Sequence, residues 1–148
     1  MDSGRRRVGE RDYSQRDVLD KLGVKPGQSV ALATTFLDEA LRARLLERLG
    51  RSLAAPDEPL DLVLVDVDDS AHPVELLRSW RARLAPAGGI WVLTRKRGRP
   101  GYVDQNELIA AGGPSGLVDN KVCSVSDTLS AMRFVIRRVD RAKGRDLP

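Results

Sequence analysis

Gly116-Leu117-Val118-Asp119-Asn120-Lys121-Val122-Cys123-Ser124-Val125 is followed by Ser126-Asp127-Thr128 and then by Leu129-Ser130-Ala131-Met132-Arg133-Phe134-Val135-Ile136-Arg137-Arg138. Two runs rich in β-formers flank a short group of polar turn-formers, the pattern of an antiparallel hairpin. In the second run Met132, Phe134 and Ile136 alternate onto one face and Arg133 and Arg137 onto the other. That predicts one packed face and one polar, wet face. The first run is less regular, because Asp119, Asn120 and Lys121 interrupt an otherwise apolar strand. Asp119 and Lys121 are two apart, so regular strand geometry puts them on the same side. They read either as a surface ion pair or as a site where Lys121, near the sheet's rim, meets an anionic ligand or partner.

Working outward from the hairpin, the rest of the chain alternates strand and helix signals. Residues 1–12 are polar and charge-dense without periodicity, which predicts a disordered arm. Tyr13-Ser14 opens a short segment, and Val18, Leu19 and Leu22 make a brief helical stripe ending at Gly23. Lys25-Pro26-Gly27 is a turn before a short buried strand, Ser29–Ala33. Thr35 and Asp38 are spaced like a capping box ahead of a helix carrying Leu37, Leu41, Leu45, Leu46 and Leu49, with Gly50 as its stop. Leu60–Val67 is a near-continuous aliphatic run, as in a strand covered on both faces.

Asp68, Asp69 and Ser70 offer N-caps to a second helix with Pro73 in its first turn and Val74, Leu77, Trp80 and Leu84 as its stripe. Leu84-Ala85-Pro86-Ala87-Gly88-Gly89 reads as a turn into a third buried strand, Ile90–Leu93. A basic loop follows, and Asp104 with Glu107 starts a short helix through Ala111, stopped by Gly112-Gly113. The series predicts an α/β, Rossmann-like three-layer sandwich. It has three parallel strands joined by right-handed crossovers, plus the C-terminal antiparallel hairpin. One domain spans 13–138, with a flexible basic tail at 139–148. The outer edge of the first strand has no predicted cover, which leaves monomer and homodimer both open.

The totals agree with one domain. A chain of 148 residues buries about two thirds of the surface its unfolded form exposes. Apolar residues at 41% and charged residues at 31% are ordinary for a globular protein. No apolar run approaches the ~20 residues a membrane helix needs. The Arg-rich start has no apolar core behind it, so no secretory signal is expected. A single cysteine, Cys123, forms no internal disulfide and fits a reducing cytoplasm.

The net charge is only +4, but it is unevenly placed. Arg95, Lys96, Arg97 and Arg99 cluster without a nearby acid, and the stretch from Arg133 to Asp146 holds six basic residues against two acidic ones. These patches suit an acidic partner or phosphates. Aromatic residues make up only 4%, which leaves a single-strand binder short of stacking platforms.

Two resemblances follow from the motifs. Lys25-Pro26-Gly27 before the first strand, Leu84-Ala85-Pro86-Ala87-Gly88-Gly89 before a later one, and a closing antiparallel pair resemble the class I methyltransferase fold cut short. A more specific pattern is Tyr13-Ser14, Lys21-Leu22-Gly23-Val24-Lys25-Pro26-Gly27, the run Gly116 to Cys123, Thr128 and Phe134-Val135. It resembles a family of small bacterial proteins catalogued as a domain of unknown function, over roughly residues 12–138. Leu129 stands where that family has tryptophan, and Ala131 where it has glycine. Leu93-Thr94-Arg95-Lys96 replaces a Trp-Pro-Lys pattern. The family carries a fold with it and no activity.

In an open parallel sheet, ligands sit outside the carboxyl ends of the strands. Those ends offer Thr34 and Thr35, then Asp66, and then Thr94 as ligand-binding candidates. The methyltransferase resemblance implies a glycine-rich turn after the first strand and an acid ending a second one, for S-adenosylmethionine. Ala33-Thr34-Thr35-Phe36 has no glycine, and no strand is read between the first helix and the Leu60–Val67 run. No cofactor, metal site or catalytic residue is therefore assigned. Asp66, Asp68, Asp69 and His72 read as strand-end and capping residues rather than metal ligands.

Cys123 reads as a small buried hydrophobe rather than a nucleophile. The leading expectation is a non-catalytic, methyltransferase-like domain that binds a protein partner through Asp119, Lys121, Arg95, Lys96, Arg97 and Arg99. The alternatives are a small-ligand binder or remnant S-adenosylmethionine enzyme at the strand ends, and a nucleic-acid binder using the basic loop and tail.

Overall fold

Aliphatic runs that cannot face water on either side need helices on both faces of the sheet, and the structure supplies them. The computed structural model describes residues 18–141. The expected arm at 1–12, Tyr13-Ser14 and the tail from 142 lie outside these residues. The chain runs β1 (Val30–Ala33), α1 (Glu39–Leu49), β2 (Leu60–Asp66), α2 (Pro73–Arg81), β3 (Leu84–Arg95), α3 (Gln105–Gly112), β4 (Val118–Ser124) and β5 (Leu129–Val135). The five strands form one sheet in the order β1-β2-β3-β5-β4. β1, β2 and β3 are parallel, and the β4–β5 hairpin joins β3 through antiparallel β5.

Alternate residues of the strands fill two cores. Leu62, Leu64, Trp91, Leu93 and Ala131 pack with Leu45 and Leu49 of α1, with Val18 and Leu19 of the helical residues 18–21, and with Leu22 in the turn that follows them. On the other face Val63, Val65, Ile90, Val92 and Phe134 pack with Leu77 of α2 and Leu108 of α3. This is the expected three-layer arrangement. Trp91, 1% exposed, ties the N-terminal turn to the middle of the sheet, its indole N–H donating to the Leu22 carbonyl at 2.8 Å. Arg78 and Arg81 of α2 donate to the Pro114 and Gly116 carbonyls at 3.1 and 3.2 Å, fixing the entry to β4.

Several local expectations are corrected. Helix α1 is capped by Asp38, whose carboxylate accepts from the Leu41 amide at 2.7 Å, and not by Thr35. Helix α2 is led by His72 and Pro73, while the Asp68 carboxylate accepts from the Ser70 amide and hydroxyl instead. Helix α3 does end at Gly112 with Gly113 as its C-cap, but Gly113 keeps right-handed backbone, and the chain continues through a 3-10 turn, Gly113–Ser115, before reversing at Gly116 with φ 80°. The predicted Leu84–Gly89 turn belongs to β3, whose register on β2 jumps from Leu60↔Leu84 to Leu62↔Gly89. Residues 85–88 are thus bulged out of the ladder. Gly88 is required there by close approach, since a Cβ would lie 2.4 Å from the Leu60 carbonyl oxygen.

The β5 face expected to be wet is also largely covered. Leu129 and Ala131 are buried against the α1 layer, and only Arg133 reaches outward on that side. β5 lies inside the sheet, so both its faces meet other layers. The outer edge of β1 is partly covered too, because the Ala54 amide donates to the Val30 carbonyl at 2.9 Å.

The largest departure concerns Asp119 and Lys121. Asp119 pairs with Phe134 and Lys121 with Arg133, so two steps along β4 match one along β5. The extra residue, Asn120, is a β-bulge, and a bulge reverses the alternation beyond it. Directly opposed residues share a face. Asp119 therefore lies on the α2–α3 side with Phe134 and Lys121 on the α1 side with Arg133, not together, and no ion pair joins them.

Candidate functional site

At the carboxyl ends of the parallel strands the sequence-predicted residues come together and largely satisfy one another. The Thr34 hydroxyl oxygen accepts from the Phe36 amide at 2.9 Å, and the Thr35 amide donates to Asp66 Oδ2 at 3.1 Å. The Arg95 guanidinium lies 4.1 Å from the centre of the Phe36 ring, stacking across it. The loop after β1 is thus pinned to the ends of both β2 and β3. Thr94 is 4% exposed and pairs with Ser130 of β5, and both line a polar hollow at this end. Hydrogen bonds from Ser70 hold the Asp68 carboxyl below its usual acid range. Among the described residues no cluster of three or more His, Cys, Asp or Glu side chains is placed to hold a metal ion.

Two hollows flank Arg95 at this end. One, about 360 Å³, lies between the start of α1 and the hairpin loop, with Phe36, Leu37, Leu41, Arg44 and Leu129 on its walls. The other, about 330 Å³, is more polar and brings Thr94, Lys96 and Arg97 beside Tyr102 and the start of α3. Arg97 sits 5.8 Å from the centre of the Tyr102 ring, and its hydrogen bond to Tyr102 makes the guanidinium still more basic. Lys96 Nζ donates to Ser124 Oγ at 2.7 Å, and Arg99 is exposed. Arg95, Lys96, Arg97 and Arg99 therefore form one basic rim; Asp104 lies near enough to Arg97 to add to its basicity, and none of the four forms an ion pair among the described residues. Lys121 and Asp119 are not part of it. Lys121 pairs mid-strand with Arg133, and both line a cavity that opens toward the amino ends of β2 and β3.

The fit to S-adenosylmethionine can be judged from these contacts. A cofactor cradle needs backbone amides free to face the ligand and glycine where the chain approaches it. Here the loop after β1 holds Thr34, Thr35 and Phe36, and the Thr35 and Phe36 amides are already bonded within the chain. Among the described residues β1 is an edge strand, with no further strand beside it to carry a ribose-binding acid. The residues present do not fit that cofactor.

The strand order, the layers and the closing antiparallel pair define a methyltransferase-like α/β domain. Solved structures agree. A SAM dependent methyltransferase from Aquifex aeolicus superposes with a TM-score of 0.58 at 14% identity, over 83% of this chain and 89% of that one. The CcbJ methyltransferase from Streptomyces caelestis gives 0.56 at 10% identity, over 83% and 89%. Identities this low carry the fold alone. The model of the DUF3052 family, described as a protein of unknown function, matches residues 19–138, and the chain belongs to that family. The uncharacterized proteins Mb2263c of Mycobacterium bovis and Rv2239c of Mycobacterium tuberculosis are each 34% identical over 101 residues, 66% of this chain. The match spans 63% of the length of those relatives. No helix among the described residues is long and apolar enough to cross a membrane.

Proposed function

We propose that this is a non-catalytic, methyltransferase-like domain that binds an acidic protein partner at the carboxyl end of its sheet. The reading rests on the loop after β1. Its amides are bonded to Asp66 and Thr34, and its one aromatic ring lies under Arg95, so the place where the fold would cradle a cofactor is closed by the chain itself. What that end presents to solvent is the basic rim of Arg95, Lys96, Arg97 and Arg99. Rim charges of one sign steer and select a partner of the other. Capture of partners by the full chain should fall when Arg97→Ala and Arg99→Ala are combined, because both side chains are exposed and outside the core. An unchanged partner set would contradict the reading. Loss of capture after nuclease treatment would assign the rim to nucleic acid instead.

A second reading, a small-ligand binder, is favoured by the hollow of about 360 Å³ between α1 and the hairpin loop, within the range of ligand pockets. Filling it with Leu41→Trp separates the two, since only the ligand reading loses its function.

A further inference from the structure

Like charges rarely face each other directly across strands, because the pair repels. Yet Lys121 and Arg133 are directly opposed on the same face of β4 and β5. The bulge at Asn120 creates this opposition; without it Lys121 would fall on the other face. Bulges that re-aim a side chain are concentrated beside functional sites.

Arg133 is half-buried, and no hydrogen bond or ion pair satisfies its guanidinium among the described residues. Burial, with Arg141 nearby, pushes its pKa down from the usual guanidinium value. The guanidinium lies across Gly89 so closely that a Cβ there would be 2.6 Å from its Nε and 2.8 Å from a terminal nitrogen. Glycine thus leaves the room in which the guanidinium sits.

Lys121 and Arg133 line a cavity of about 440 Å³ toward the amino ends of β2 and β3, on the α1 side. Lys21 and Lys25 line it as well, from the turn that leads to β1. Four cations from three separate parts of the chain therefore meet around one hollow. Its single acid, Asp61, is already accepting the Ser29 amide at 2.9 Å. Gln28 also lines it, its Oε1 accepting from the Lys25 amide at 2.8 Å.

We propose that this hollow is a binding site for a small phosphate-bearing molecule, held by Arg133 and Lys121 with Lys21 and Lys25 closing over it. A guanidinium fork and convergent ammonium groups match the several oxygens and double charge of a phosphoryl group, and a bound dianion removes the Lys121–Arg133 repulsion. Trp91 floors the cavity but is only 1% exposed, with no open ring face for a base to stack on. The ligand is therefore a small phosphorylated compound without a stacked base. Gln28 and the free oxygen of Asp61 would meet polar groups on its body. The site lies at the end of the sheet opposite the basic rim, so it is independent of the partner reading.

The test uses the full chain and three probes at matched ionic strength: inorganic phosphate, pyrophosphate and citrate, each followed by calorimetric titration. Saturable binding of phosphate or pyrophosphate is expected, stronger for pyrophosphate. Removing one charge-assisted contact with Lys121→Ala should weaken it about tenfold or more. Arg133→Gln should weaken it further, and Arg42→Ala, on an exposed turn of α1, should leave it unchanged. If Arg133→Gln fails to fold, Lys121→Ala on the exposed edge strand still decides the matter. No saturable binding, equal affinity for citrate, or Lys121→Ala binding as the parent does would each overturn the proposal.

Discussion

At the carboxyl end of the sheet the Thr35 amide, the Asp66 carboxylate, the Thr34 hydroxyl and the Arg95 guanidinium all find partners within the chain. Toward the amino end Lys121 and Arg133 face each other beside a cavity whose one acid, Asp61, accepts from the Ser29 amide and forms no ion pair with either. The two ends are made by the same strands, so the contrast does not come from the fold. It comes from a few residues: threonines where a cofactor loop would carry glycine, and a bulge that turns one lysine around. In this chain the loop that the fold reserves for a cofactor is internally satisfied, and toward the opposite end two like charges are set directly against each other.

That contrast can be broken at either end, and the largest effect is expected at Trp91. Trp91→Ala removes the floor of the cationic cavity and the tie to Leu22, and should cost about 3–5 kcal/mol in urea unfolding. A loss below about 1 kcal/mol would mean the N-terminal turn does not depend on it. The two neighbouring glycines come next and sharpen the comparison. Gly88→Ala drives a Cβ into the Leu60 carbonyl, backbone that cannot swing aside, and should cost about 1–3 kcal/mol. Gly89→Ala meets only the far end of the Arg133 side chain, so its cost should stay under about 1 kcal/mol. It should nevertheless abolish phosphate binding by displacing the guanidinium. Equal costs for the two would contradict the assigned geometry.

At the carboxyl end, Asp66→Ala strips the Thr35 amide of its acceptor and should cost about 1 kcal/mol by the same measurement. The smallest effect has the opposite sign. Lys121→Ala relieves a like-charge pair and should stabilise the free protein by about 0.2–1 kcal/mol, a gain that shrinks as salt rises. Stability gained together with affinity lost would mark Lys121 as a ligand contact rather than a structural one.

The fold was legible because it depends on signals that are local and redundant. The Leu60–Val67 run, the Leu41–Leu45–Leu49 stripe and the alternation through Met132, Phe134 and Ile136 each fix an element without help from elsewhere. Helix starts were less legible, since Thr35, Asp38 and Asp68 are all good caps and only packing selects among them. The strand-end residues stand out as candidates because parallel sheets place ligands there by rule. Their mutual pinning was not foreseen, because it joins Thr35 to Asp66 across 31 positions of sequence.

The same-side, ion-pair reading of Asp119 and Lys121 failed for a definite reason. Period-two alternation assumes an unbroken ladder, and a bulge at Asn120 leaves no mark in composition. The signal that was present lay in two facts taken separately: polar residues interrupting one strand, and an arginine set between Met132 and Phe134 in the other. Only the pairing register shows that they meet.

The most direct test of a methyltransferase-like fold closed against its cofactor is a thermal-shift titration of the full chain with S-adenosylmethionine and S-adenosylhomocysteine. A ligand at a hundred times its dissociation constant adds about 2.7 kcal/mol, several degrees for a domain of this size. No saturable shift with either compound is the expected result. A saturable shift with either would show that the loop after β1 opens to admit the cofactor, and would contradict the closed reading of that end.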